Sequence, residues 1–137
     1  MQIVVISILA GIALIDARTH RIPNRGVLIL AIASVATTDY GNYVLINHLR
    51  TFAVVLSTSV FLSICCGLGM GDVKLLGVLA MFVLPPEPGA YKVFLLTVAL
   101  TASVHAIFLS RGDIRKSVDI PLAPAILLGT IIALVAK

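Results

Sequence analysis

The sequence predicts an all-α integral membrane protein, a bundle of about six transmembrane helices. Of its 137 residues, 60% are hydrophobic and only 12% are charged, whereas a soluble domain carries about 25% charged residues. The apolar residues also recur in long runs, separated by short segments rich in glycine, proline and charge. These runs leave no room for a separate soluble module, so residues 1–137 are expected to form a single transmembrane domain.

Six apolar runs are candidate membrane spans. A bilayer core needs about 20 apolar residues per helix. Four runs come near this length, while the second and fourth are shorter and need flanking polar residues to cross. The predicted spans are Met1–Ile15, Gly26–Thr38, Leu49–Cys66, Val73–Leu84, Lys92–Ser110 and Ile120–Ala136.

The basic residues are distributed unequally between the connections. Sorting lysine and arginine by alternate connections places seven on one side and three on the other. Under the positive-inside rule the side with seven is cytoplasmic, and six spans then place both termini outside. Topology therefore explains the net charge of +4, and the expected surroundings are membrane lipid, with no nucleic-acid partner. The seven are Arg18, Arg21, Arg25, Lys74, Arg111, Arg115 and Lys116, and the three are Arg50, Lys92 and Lys137.

Two carboxylates stand at the cytoplasmic ends of predicted spans. Asp16 ends the first span and Asp72 precedes the fourth. An acidic group at membrane depth costs roughly 2.5–3.5 kcal/mol on insertion scales, which makes it a functional candidate. Either residue alone could reach water or cap a helix. Together they could hydrolyse a peptide bond, one carboxylate taking a proton from water while the other, protonated, polarises the carbonyl.

The same two carboxylates also fit functions other than hydrolysis. A small transporter or channel subunit could use the same residues as ion or proton sites, and a non-enzymatic subunit of a secretion complex could use them as contacts. Histidine and glutamate do not cluster at zinc-ligand spacing, and no serine or cysteine nucleophile pairs with histidine on the cytoplasmic side. We therefore expect neither a metal nor another cofactor.

Glycines surround the second carboxylate. Gly67, Gly69 and Gly71 alternate before Asp72, which favours a bare turn that another segment can approach closely. The segment lacks the Gly-Lys-Ser/Thr ending of a phosphate-binding loop. The basic residue that follows, Lys74, could equally form a salt bridge, extend to the membrane surface or contact a substrate.

Two motifs together carry a family resemblance. Asp16 is followed by Ile22-Pro23-Asn24, and Asp72 closes Gly69-Met70-Gly71-Asp72. This order and separation resemble the type IV prepilin peptidases, which are GxGD intramembrane aspartyl proteases with an Asp before Ile-Pro-Asn and a second Asp in Gly-x-Gly-Asp. Pro121-Leu122-Ala123-Pro124 is similar to the family's Pro-x-x-Pro at the last helix, although the usual aromatic residue and glycine between the prolines are replaced.

The resemblance implies a function and a location. It implies an aspartic endopeptidase of a bacterial or archaeal cytoplasmic membrane, with a cytoplasmic active site that removes the basic leader of prepilins or pseudopilins for type IV pilus assembly or protein secretion. The chain looks like the short peptidases of tight-adherence (Flp) pilus systems. Because it lacks the Cys-x-x-Cys extension of bifunctional relatives, peptidase activity without N-methylation is expected.

The resemblance also implies roles for individual residues. It makes Asp16 and Asp72 the catalytic pair, expected to meet by packing of the first helix against the fourth. The helix dipoles then predict that Asp72, at a helix N-terminus, is the ionised base and that Asp16 carries the proton. The remaining motif residues are expected to support the pair: Ile22, Pro23, Asn24, Gly69, Gly71 and Lys74.

Overall fold

Helices account for the regular structure of the described chain. A computed structural model describes residues 2–38, 44–66, 68–110 and 121–136, and within them there are six α-helices and no strand. The helices are α1 (Gln2–Thr19), α2 (Asn24–Thr37), α3 (Leu45–Cys66), α4 (Met70–Val78), α5 (Pro88–Ser110) and α6 (Ala123–Val135). A π-helical segment, Leu79–Val83, continues α4 directly. The predicted helical class is confirmed within this part of the chain.

Three of these helices, α1, α3 and α5, are long and apolar enough to cross a membrane. The other helices are shorter, and α2 and α6 are apolar helices of 10–17 residues. The predicted bounds need correction at several ends. The first, third and fifth helices each include one more turn than predicted, α1 at its C-terminal end and α3 and α5 at their N-terminal ends, while α6 begins at Ala123. Met1, Arg111, Arg115, Lys116, Ile120 and Lys137, which the span and charge predictions include, lie outside the described residues.

Proline marks the beginning of three helices. Pro23 is the residue before α2, Pro88 is the first residue of α5 and Pro124 is the second residue of α6. The first turn of a helix tolerates proline because its N–H groups have no partner within the helix. The prolines therefore fix where the chain re-enters helical structure after each of these connections.

The helices pack as a chain of neighbours. Helix α1 contacts α2 and α6, α6 contacts α5, and α4 contacts α2 and α3. Helices α5 and α6 approach each other closely at Gly129, where an added Cβ would lie 2.7 Å from Val98 Cγ2 and 3.1 Å from the carbonyl oxygen of Phe94. Buried apolar side chains from α1, α4 and α6, including Leu9 and Leu75, form one core. This core holds the ends of α1, α4 and α6 in a fixed relation.

Large apolar side chains also cover the outside of the bundle. Ile3, Ile64 and Phe108, one on each long helix, are between 78 and 80% exposed. An outer surface this apolar is typical of helices that face lipid. The structure and composition together suggest a membrane-embedded protein.

Side chains of α3 and α5 form hydrogen bonds with the backbone of the π-helical segment. The Tyr91 hydroxyl donates a hydrogen bond to the carbonyl oxygen of Ala80 at 3.1 Å, and His48 hydrogen-bonds to the backbone of Ala80 and Met81. A π turn widens the helix and disturbs its regular hydrogen-bond ladder. Side chains of α3 and α5 therefore satisfy backbone groups where α4 loses its regular geometry.

Candidate active site

Asp16 lies in the last turn of α1 and is buried, with 4% of its surface exposed. Its Oδ2 accepts a hydrogen bond of 3.0 Å from the backbone N–H of Ala123. Ala123 is the first residue of α6, and the first N–H groups of a helix have no partner within it. The N-terminus of α6 therefore supplies the donor that holds the carboxylate in place.

Asp72 lies in the first turn of α4 and is half-buried. Its Oδ1 is buried and has no hydrogen-bond partner within the described residues. Its Oδ2 lies beside Gly69, where an added Cβ would stand only 2.9 Å away. Gly69 therefore leaves the space that this carboxylate occupies, and an unpaired buried oxygen is a feature that calls for a functional explanation.

The turn after α1 is short and tightly bonded. The N–H of His20 donates to the carbonyl oxygen of Asp16 at 2.8 Å, and His20 has a positive φ of 51°, which ends the helix. Histidine adopts this left-handed region more readily than most residues. Pro23, in an extended conformation, immediately precedes α2, so only the four residues 20–23 separate α1 from α2.

The two motifs contact each other at this turn. An added Cβ at Gly71 would lie 2.8 Å from the Cβ of Ile22, so the start of α4 can approach Ile22 only because residue 71 is glycine. Beside this contact, Lys74 Nζ donates a 3.0 Å hydrogen bond to Asn24 Oδ1. The Gly-x-Gly-Asp turn thus packs against the Ile-Pro-Asn segment.

The two carboxylates influence each other electrostatically. Burial raises the pKa of Asp72 to about 6, and the negative charge of Asp16 acts in the same direction as a smaller cause. Asp72 is outside the three helices long enough to span a membrane. The two carboxylates therefore lie near enough for their charges to interact.

The structure changes one expectation about how the site is assembled and gives Lys74 a partner that the sequence did not predict. Helix α1 does not pack extensively against α4; both contact α2, which lies between them. Lys74 bonds to the Asn24 amide, and no carboxylate pairs with it in the described chain. Contact between the two motifs, rather than direct packing of the helices that bear the carboxylates, assembles the site.

Sequence reasoning missed one member of the site. The donor to Asp16 is the main-chain N–H of Ala123, and a backbone group leaves no residue-type signal. The nearest signal was the pair of prolines, Pro121 and Pro124, which marks the start of the last helix. Proximity of this helix start to Asp16 was not predicted.

Together these features describe an all-helical protein whose long apolar helices suggest a membrane-embedded fold, with Asp16 and Asp72 at the ends of two helices as the candidate site. The profile of the type IV leader peptidase family matches residues 3–111, a region that includes both carboxylates, and the chain belongs to this family. The resemblance noted in the sequence is therefore confirmed, and membership implies peptidase activity. Comparison with curated proteins and with solved structures gives no match.

Proposed function

We propose that the chain is an aspartic endopeptidase that removes the basic leader peptide from prepilins or pseudopilins, with Asp16 and Asp72 as its catalytic pair. The observation that carries the proposal is the contact of Ile22, which follows Asp16, with Gly71, which precedes Asp72. It joins the motifs of two carboxylates that lie 56 positions apart in the sequence. Family membership supports the peptidase class. The proposed location is the cytoplasmic face of a bacterial or archaeal inner membrane, where water reaches the helix ends.

The hydrogen bonds favour one division of labour between the carboxylates. Asp16 accepts a bond from the N-terminus of α6, where the helix dipole favours negative charge. Asp72 Oδ1 has no such donor in the described structure. We therefore assign the ionised base to Asp16 and the proton to Asp72. This reverses the expectation from sequence, which considered only the helix that bears each residue and not the start of α6.

In this arrangement the reaction needs only water and the two side chains. Asp16 takes a proton from the attacking water, while the proton on Asp72 polarises the scissile carbonyl. Lys74, bonded to Asn24, and Ile22, seated on Gly71, hold Asp72 in place. These are positioning roles, because neither residue needs to touch the substrate for them.

The direct test is to incubate the purified chain in detergent with a candidate prepilin and to read the product's new N-terminus by mass spectrometry. Cleavage at the junction between the basic leader and the hydrophobic helix is expected. A chain that binds the prepilin without cutting it would favour the assembly subunit. Proton or ion flux through reconstituted vesicles without cleavage would favour the transporter.

Cleavage is expected to fall as the pH rises above about 6. The pKa of Asp72 is raised to about 6, so this carboxyl keeps its proton below that pH and loses it above. Well above this pKa the protonated fraction of Asp72 falls by about tenfold per pH unit, and kcat is expected to fall by the same factor. The measurement is kcat from pH 5 to pH 8, with helix content followed by circular dichroism as the control for unfolding. A rate that rises over this range would contradict the assignment of the proton to Asp72.

The unequal distribution of basic residues also yields a topology prediction. Single cysteines at Thr19 and Ser117 are expected to be labelled from the cytoplasm, and those at Asn42 and Glu87 from outside. Asn42 and Ser117 lie outside the described residues. A membrane-impermeant thiol reagent applied to intact cells, with lysed cells as the control, makes the measurement. Equal labelling of positions 19 and 42 in intact cells would refute the six-span arrangement.

A further inference from the structure

A groove of about 520 Å³ lies between α3 and α5. It exists because α3 packs on α4 while α5 packs on α6, which separates the two helices. Along α3 the groove extends from Asn47 to Leu62, which at 1.5 Å per residue is about 22 Å. Leu76 of α4 and the buried Phe94 of α5 contribute to its lining.

The length of the groove suits an extended hydrocarbon chain. The groove runs for about 22 Å along α3, and the side chains that α4 and α5 contribute to it include Leu76, Phe94 and Leu95. An acyl chain laid along α3 would contact apolar side chains of all three helices.

The walls of the groove are less polar than their sequence suggests. Thr51, Thr58 and Ser59 line it, but each hydroxyl donates to a carbonyl oxygen one turn earlier in α3, at 2.7–2.8 Å. These hydroxyls are already satisfied by their own helix. Over most of its length the groove therefore presents a hydrocarbon surface that an apolar ligand can contact.

One end of the groove carries a cation. Arg50 and Asn47 line the groove near the start of α3, at the opposite end of that helix from the turn leading to Asp72. The Arg50 guanidinium has no ion pair or hydrogen bond within the part of the chain that the structure describes. The carboxylate of the neighbouring connection, Glu87, is exposed and does not pair with it. An unpaired guanidinium is a strong binder of phosphate.

We infer that this groove is a phospholipid site, in which one acyl chain lies between α3 and α5 and the phosphate is held by Arg50. The combination of an apolar channel with a cation at its end matches the two parts of such a lipid. A bound lipid would also fill the gap that separates α3 from α5. The inference does not depend on the peptidase chemistry, which lies at the other end of α3.

The test uses the full chain reconstituted in vesicles of phosphatidylethanolamine and phosphatidylglycerol in equal amounts. After transfer to detergent, native mass spectrometry is expected to show one retained phospholipid per chain. Arg50→Gln is expected to lower the ratio of lipid-bound to free protein about fivefold. Val54→Phe, which fills the groove from α3, is expected to abolish retention.

Two matched substitutions serve as controls. Lys92→Gln removes a cation from the same end of the bundle, and Val60→Phe enlarges an exposed valine of α3; neither residue lines the groove. Both are expected to retain lipid as the unchanged chain does. Added diacylglycerol, which lacks the phosphate, should displace the retained lipid poorly.

Several results would overturn the inference. These are an absence of retained phospholipid, equal retention by Arg50→Gln and Lys92→Gln, or equal loss in the two phenylalanine variants. Displacement by diacylglycerol as efficient as by phospholipid would also contradict it. A photo-crosslinking residue at position 58 that captures a protein segment instead of lipid would assign the groove to a macromolecular partner.

Discussion

Asparagine in place of either Asp16 or Asp72 is expected to lower prepilin cleavage by about a thousandfold, since each substitution removes a group that transfers a proton in the transition state. The change nearly preserves side-chain shape, and an asparagine at position 16 can still accept the bond from the Ala123 N–H. Membrane insertion and helix content should therefore be unchanged. The measurement is kcat/KM for leader removal by the purified variants.

The double variant distinguishes a catalytic pair from two independent contributions. Members of one catalytic unit are not additive, so Asp16→Asn combined with Asp72→Asn should be scarcely slower than either single variant. Glu87→Gln removes an exposed carboxylate in the connection before α5 and serves as the matched control, with unchanged activity. Near-normal cleavage by a folded Asp16→Asn or Asp72→Asn protein would contradict the aspartyl-protease proposal.

Gly71→Ala is expected to lower cleavage by about a hundredfold, because a misplacement of about 1 Å at a catalytic group has an effect of that size. The new Cβ would stand 2.8 Å from the Cβ of Ile22, a distance that the two segments must relieve by moving apart. Asp72 is the next residue, so the separation moves its carboxyl away from Asp16. Cleavage kinetics of the purified variant measure the effect.

Two comparisons show whether the loss comes from this contact. Gly11→Ala in α1 and Gly89→Ala at the start of α5 add a Cβ where no atom lies within 4 Å, and both should keep normal activity. Ile22→Gly removes the opposing Cβ, so the double variant with Gly71→Ala should regain part of the lost activity. Normal cleavage by Gly71→Ala alone would show that the contact does not position Asp72.

Much of the candidate site could be predicted because its residue types are unusual in so apolar a chain. Carboxylates at Asp16 and Asp72 are conspicuous in a chain of this hydropathy, and the alternating glycines indicate close approach before it is seen. The Lys74 contact could not be selected in advance, since a long flexible side chain reaches several partners from one position. The structure selects Asn24.

By itself, the sequence determined the helical class, the apolar character and the family of this protein, since these follow from composition, the spacing of apolar runs and short local motifs. Only the tertiary structure decided which backbone group meets Asp16, and the base that we propose is assigned from that contact. That answer depends on α6, more than 100 residues away. Hydropathy records how long a segment stays apolar, but it carries no information about which helix end lies beside which. The gap between α3 and α5 has the same origin, because it results from each helix packing on a different neighbour.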